Sequence, residues 1–156
     1  MQERGGLRSH SFAEVRDATW VRSYLKASAD QRPDGTVRIT LEQTYPGHAF
    51  PTGDLFRSVE VGAALRQGGK ELARDVRRLT RYWGLAAASS TRPLLADTRL
   101  FYEPLELDLT PRAGPLPKGA TLEWWVTLQR VATLGDHAGG PSIESELPLW
   151  RETVKR

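Results

Sequence analysis

The feature that most restricts the fold is a side-chain period of two that keeps returning along the chain, interrupted each time by turn-forming residues. Val37, Ile39 and Leu41 alternate with Arg38, Thr40 and Glu42. Val59, Val61, Ala63 and Leu65 repeat the pattern, as do Leu105, Leu107 and Leu109 against Glu106 and Asp108. The longest stripe is Leu122, Trp124, Val126 and Leu128, with Trp125 and Thr127 on the opposite face. Every second residue of a strand returns to one face, whereas a helix would scatter these apolar groups around its axis. Pro33-Asp34-Gly35 predicts a tight turn, and Gly68-Gly69 predicts a two-residue hairpin turn into the run from Leu72 to Trp83. About six or seven short strands, with no long helix between them, predict an all-β chain folded as an antiparallel β-sandwich of immunoglobulin-like type. Val37, Ile39, Leu41, Val59, Val61, Leu105, Leu107, Leu122, Trp124 and Val126 are the expected core.

The ends are less regular. Ser11 as N-cap, with Phe12, Val15 and Trp20 at roughly helical intervals, predicts a short N-terminal helix near residues 12 to 18 or an extended arm. Val21, Ser23, Leu25 and Ala27 equally begin a strand. Leu85 to Leu95 is rich in small residues and reads as a loop or a short helical turn. Residues 135–156 read as an extended tail whose Leu147, Leu149 and Trp150 dock on the body. With 156 residues, 39% of them hydrophobic and 26% charged, the chain has the composition of one globular domain. The expected division is an N-terminal arm (1–20), a β-sandwich (21–134) and a C-terminal tail packed on it (135–156).

Between two of the strand patterns lies the most crowded stretch of special residues: Gly47-His48-Ala49-Phe50-Pro51-Thr52-Gly53-Asp54-Leu55-Phe56-Arg57. Pro51 fixes its own φ and biases Phe50 toward an extended conformation, so a shaped loop follows, with Phe50 and Pro51 inside. His48 is presented by that loop. Thr52, Asp54 and Arg57 are close enough to tie it down by hydrogen bonds, and Arg99 is similarly placed to pair with Asp97. Gly-His-Ala-Phe-Pro-Thr-Gly followed by Arg57 resembles a segment in the C-terminal β-domain of multihaem c-type cytochromes. Arg8-Ser9-His10-Ser11-Phe12 and Val15-Arg16-Asp17 resemble that family's join to the last haem-binding segment, and Asp97-Thr98-Arg99-Leu100 its later strand start. The resemblance covers roughly residues 1 to 134 and favours a strand at about 21–29.

It implies a module that packs on or supports haem-bearing segments, outside the cytoplasm in the periplasm or beyond. The chain has no cysteine, hence no Cys-x-x-Cys-His, so no haem is attached to it covalently. Haem c would belong to a partner subunit or to a longer parent chain, of which this sequence is then the part after the final haem site. Residues 1–20 would lie over the sandwich or project from it, with Phe12 and Trp20 meeting the haem domain. His48 and His10 are the candidate haem contacts in trans. The plainer role of His48 is to staple its loop.

Other functions are poorly served. His137 with Asp136 sits in a glycine-rich loop; no Gly-x-Ser-x-Gly, His-Glu-x-x-His or phosphate-binding loop occurs, and the reading is non-catalytic. The net charge of +3 is spread among acids and carries no nucleic-acid motif. No run of about 18 apolar residues is present to span a membrane. Arg74, Arg77, Arg78 and Arg81 crowd one strand and need acids opposite them, on this chain or another. Trp125, facing away from the long apolar stripe, marks a candidate partner surface. The alternative reading is an extracellular adhesion or ligand-binding β-sandwich, which an exposed aromatic strip would favour.

Overall fold

Asp17 starts the first element of the computed structural model, which describes residues 17–44, 48–52, 56–84, 92–111, 116–132 and 142–154. Its Oδ1 accepts hydrogen bonds from the Thr19 and Trp20 amides at 2.8 and 3.4 Å, capping helix α1 (Ala18–Tyr24). The helix expected near residues 12–18 falls almost wholly outside the described residues; α1, described from its Asp17 cap on, fully buries Val21. The expected strand at 21–29 starts later, as β1 (Leu25–Gln31). Trp20 stacks against Tyr24 with ring centroids 4.7 Å apart and packs on the core, so it is not the free apolar surface expected of it. Phe12 and His10 lie outside the described residues.

The strands that follow are β2 (Val37–Gln43), β3 (Arg57–Gln67), β4 (Lys70–Leu79), β5 (Arg81–Trp83), β6 (Leu94–Asp97), β7 (Leu105–Leu109), β8 (Thr121–Val131) and β9 (Ile143–Thr153). They form a three-stranded sheet in the order β1-β2-β7, a four-stranded sheet β4-β3-β8-β9 and a small β5-β6 pair, with every strand pairing antiparallel. The two larger sheets face each other across one apolar core. In immunoglobulin letters they are ABE against C′CFG, the order of that sandwich class with no D strand beside E among the described residues. The protein is an all-β antiparallel sandwich with one short helix.

Both expected turns form. Asp34 accepts from the Thr36 amide at 2.9 Å while Gly35 takes φ 88°, and Gly68 and Gly69 take φ 55° and 80° between β3 and β4. The run from Leu72 to Trp83 breaks at Thr80 into β4 and β5, and Leu94 and Leu95, expected in a loop, begin β6. The C-terminal segment is extended and docks through Leu147, Leu149 and Trp150 as expected, and it does so as a strand of the sheet itself. Residues 143–153 are a full edge strand on β8, with Leu149 wholly buried and Leu147 and Trp150 packed on the core. Its period-two signal is hidden because Pro148 and two register shifts interrupt the alternation.

The core is the expected one with two exceptions. Val37, Ile39, Leu41, Val59, Val61, Leu122, Trp124 and Val126 are buried, whereas Leu105 and Leu107 are only half-buried. They sit on β7, an edge strand, and no further strand covers that side among the described residues.

Candidate functional site

Phe50 is where the loop from 47 to 57 meets the rest of the molecule. Its amide donates to the Leu100 carbonyl at 2.7 Å and its carbonyl accepts from the Leu100 amide at 2.8 Å, an isolated antiparallel bridge. The Phe50–Pro51 peptide is cis, Pro51 is buried, and Phe50 is half-buried against the core. The bridge therefore joins, in space, two of the stretches named for the sequence resemblance, 47–57 and 97–100. Arg57 donates from Nη1 to the Thr52 carbonyl at 3.1 Å, so Thr52 holds the loop through its backbone while its side chain is exposed. His48 is exposed at a bend before Phe50. Gly47, Gly53 and Asp54 lie outside the described residues, and with them the expected Asp54–Arg57 bond.

The segment braced by Phe50 is held from two further directions. The Gln43 side-chain amide donates to the carbonyls of Leu100 and Phe101 at 3.0 and 2.9 Å. Arg99 clamps Asp97 as expected, Nε to Oδ1 at 2.8 Å and Nη2 to Oδ2 at 2.6 Å, and its amide also donates to Oδ1 at 3.2 Å. The hydrogen bonds from Arg99 hold the Asp97 carboxyl below the usual range against the opposing effect of burial. Thr98 ties the same segment to the β4–β5 junction, its Oγ1 donating to the Arg78 carbonyl at 2.9 Å and its amide to the Thr80 carbonyl at 3.0 Å.

This brace shapes one wall of a groove of about 590 Å³ at the open side of the sandwich, between the edges of β4 and β7. Val76, Leu79, Leu105 and Leu107 give it an apolar lining, and Tyr82 and Phe101 stand at it with 37% and 45% of their surface exposed. Arg77, Arg78 and Arg99 line it as well, against a single carboxylate, that of Asp97. The Arg99 guanidinium lies 5.8 Å from the Phe101 ring centre. Arg78 Nε is buried without an acceptor among the described residues. Such a lining binds apolar surface and anionic groups. It holds no histidine, no serine or cysteine nucleophile, and no carboxylate free of an arginine clamp.

The arginine-rich strand resolves differently. On the outer face of the four-stranded sheet, buried Glu60 accepts from Trp125 Nε1 at 3.0 Å, from Arg78 Nη2 at 3.1 Å and, at 3.5 Å each, from Arg74 Nη2 and Gln129 Nε2. Arg77 pairs with Asp75, whose other oxygen accepts from the Thr110 amide at 2.9 Å. The acids that Arg74, Arg77 and Arg78 require are thus on this chain. Trp125 lies across Gly62, where a Cβ would fall inside its ring, and beneath the guanidinium groups of Arg74 and Arg151 at 5.1 and 6.0 Å. Only 7% exposed, it is a buried anchor and not the partner surface expected of it. Glu123 joins the layer between Arg66 and Arg151, and the hydrogen bond from Arg151 chiefly lowers its pKa.

His10, His137 and Asp136 lie outside the described residues, and among the described residues no group of three or more His, Cys, Asp or Glu is placed to hold a metal. No helix among them is long and apolar enough to cross a membrane. Sequence reasoning found Asp97 and Arg99 but missed Tyr82, Phe101 and the half-open leucines of β7. The available signal was Phe101-Tyr102 directly after Asp97-Thr98-Arg99-Leu100, an aromatic pair outside any alternating run. Comparison with protein-family models, with curated proteins and with solved structures finds no match to this chain.

Proposed function

We propose that the protein is a non-catalytic β-sandwich module of the kind associated with multihaem c-type cytochromes, packing on or supporting haem-bearing segments of a partner or parent chain and working in the periplasm or outside the cell. The observation that carries the reading is the Phe50–Leu100 bridge, because it braces together two of the stretches on which the resemblance rests, 47–57 and 97–100. A chain without cysteine attaches no haem c of its own, so any electron transfer runs through the partner's haems. His48, exposed on the braced loop, is the candidate contact to a partner haem, and His10 the second.

The test is spectroscopic. Purified alone, the protein is expected to show no Soret band and to take up added haemin weakly, without stoichiometry. Tight one-to-one haem binding by the isolated chain, lost in His48→Ala, would overturn the partner-dependent reading and make this a haem protein in its own right.

A second reading, an extracellular adhesion or ligand-binding sandwich, draws on the exposed aromatics beside the groove, Tyr82, Phe101 and Tyr102, the last 65% exposed. Saturable binding of a soluble glycan or surface polymer, abolished by Phe101→Ala, would favour it over the cytochrome reading.

A further inference from the structure

We propose that Asp75 is a releasable clasp between the two sheets, which holds the groove between β4 and β7 at its present width and lets the Thr110 end of it open. Asp75 and Arg77 stand where the strand alternation calls for apolar side chains. They pair in register with Ala63 and Val61, both fully buried, and directly opposed residues of an antiparallel pair share a face. The next residue on that face, Leu79, pairs with Val59 and is buried as the pattern requires. An ion pair therefore occupies two core-face positions on β4, the outermost strand of its sheet among the described residues. One Asp75 oxygen is held by Arg77, and the other reaches across to the second sheet, where it accepts from the Thr110 amide at 2.9 Å. The pairing of β7 with β2 stops at Leu109, so Asp75 takes the first amide beyond that ladder.

The other end of the groove is built differently, and the difference makes Asp75 a clasp and not a permanent seam. There Thr98 is held several times over: its amide donates to the Thr80 carbonyl at 3.0 Å, its Oγ1 accepts from the Thr80 amide at 3.1 Å, and the same hydroxyl donates to the Arg78 carbonyl at 2.9 Å. The Asp75 end has one hydrogen bond, made to a carboxylate partly open to water, and the arginine that orients it is more exposed still. Between the two ends lie Leu79, Leu105 and Leu107. Apolar contacts are non-directional, so they resist separation without fixing a distance. The weaker and wetter tie yields first, and the groove opens at Thr110 while Thr98 serves as its hinge. Inward-pointing charges also guard an edge strand against pairing with other chains, but a guard needs no bond to the second sheet. The inference asks nothing of haem or of a partner, so it stands or falls apart from the proposed function.

Hydrogen exchange of the full chain, read by backbone amide NMR, is the test. In the parent chain the Thr110 amide is expected to be protected, although it lies past the last ladder pair. Asp75→Ala should speed its exchange about tenfold or more, the scale of one lost acceptor, with smaller increases at 105–109 and none in β3 or β8. Asp75→Asn, which keeps an acceptor oxygen and loses the charge, should fall between the two, and it stands in for Asp75→Ala should that variant fail to fold. Thr98→Val should leave Thr110 protected, because the clasp does not depend on the hinge. The neutral apolar dye Nile red should bind the Asp75→Ala chain more than the parent, since an opened groove uncovers leucine. An unprotected Thr110 in the parent, faster exchange spread evenly over β3 and β8, or unchanged dye binding would overturn the proposal. So would self-association of Asp75→Ala with exchange at 105–110 unchanged, which would make the ion pair an edge guard only.

Discussion

The outer face of the four-stranded sheet and the groove between β4 and β7 are lined in part by the same strand, β4, yet they are opposite kinds of surface. The outer face has the denser charge and is closed: Glu60 gathers donors from Arg74, Arg78, Trp125 and Gln129, and Glu123 is shared by Arg66 and Arg151. The groove has less charge and is open, with half-buried leucines, exposed aromatics and a buried guanidinium nitrogen that lacks an acceptor. Density of charge is therefore a poor guide to which surface is left open. Long arginine side chains laid over a central tryptophan act as a roof, burying apolar stem and ring while their heads reach carboxylates. A strand edge with no neighbour among the described residues, by contrast, leaves Leu105 and Leu107 half-exposed.

Four measurements would break or sharpen this contrast, taken from the largest expected effect to the smallest. Gly62→Ala drives a methyl into the Trp125 ring, and since the ring is fixed by Glu60 below and two arginines above, chemical denaturation should show a loss of about 3 kcal/mol, the upper end of overpacking costs. A loss below about 0.5 kcal/mol would mean that the roof moves freely, and the closed description would fail. Glu60→Ala leaves the buried Trp125 donor without its acceptor, while Gln129 keeps Glu146 at 2.9 Å and the more exposed arginines regain water; about 2 kcal/mol is expected.

Asp97→Asn tests the brace at the groove wall. The Asp97 pKa is lowered in the folded protein, so the carboxylate contributes stability that is fully present above the unfolded-state value near 3.9 and is lost as pH falls through the folded value. The substitution should cost about 1 kcal/mol at neutral pH, with the difference from the parent chain shrinking as both are acidified below about pH 4. A constant difference across that range would deny the clamp. Phe101→Ala and Tyr82→Ala, at the groove itself, should change stability by less than about 0.5 kcal/mol, as for ordinary exposed sites. Should they cost more than Glu60→Ala, the groove would be core and the contrast would be reversed.

How far the sequence could be read depended on the range of the interactions concerned. Period-two alternation in β2, β3, β7 and β8, the Asp34-Gly35 and Gly68-Gly69 turns and the Asp97–Arg99 pair are written in residues close along the chain, and they settled the fold class, most of the core and one of the site's ion pairs. β9 escaped because a proline and register shifts blurred its alternation, and α1 escaped because Val21, Ser23 and Leu25 read equally as the start of a strand. Only the tertiary structure decided that Glu60 answers Arg74 and Arg78, that Trp125 rests on Gly62, that Phe50 bridges to Leu100, and that Leu105 and Leu107, packed on the core, are left half-open to a groove. Alternation says which residues share a face of a strand. It does not say which strand lies beside it or whether any does, because neighbours in a sheet are chosen by contacts between residues far apart in the chain.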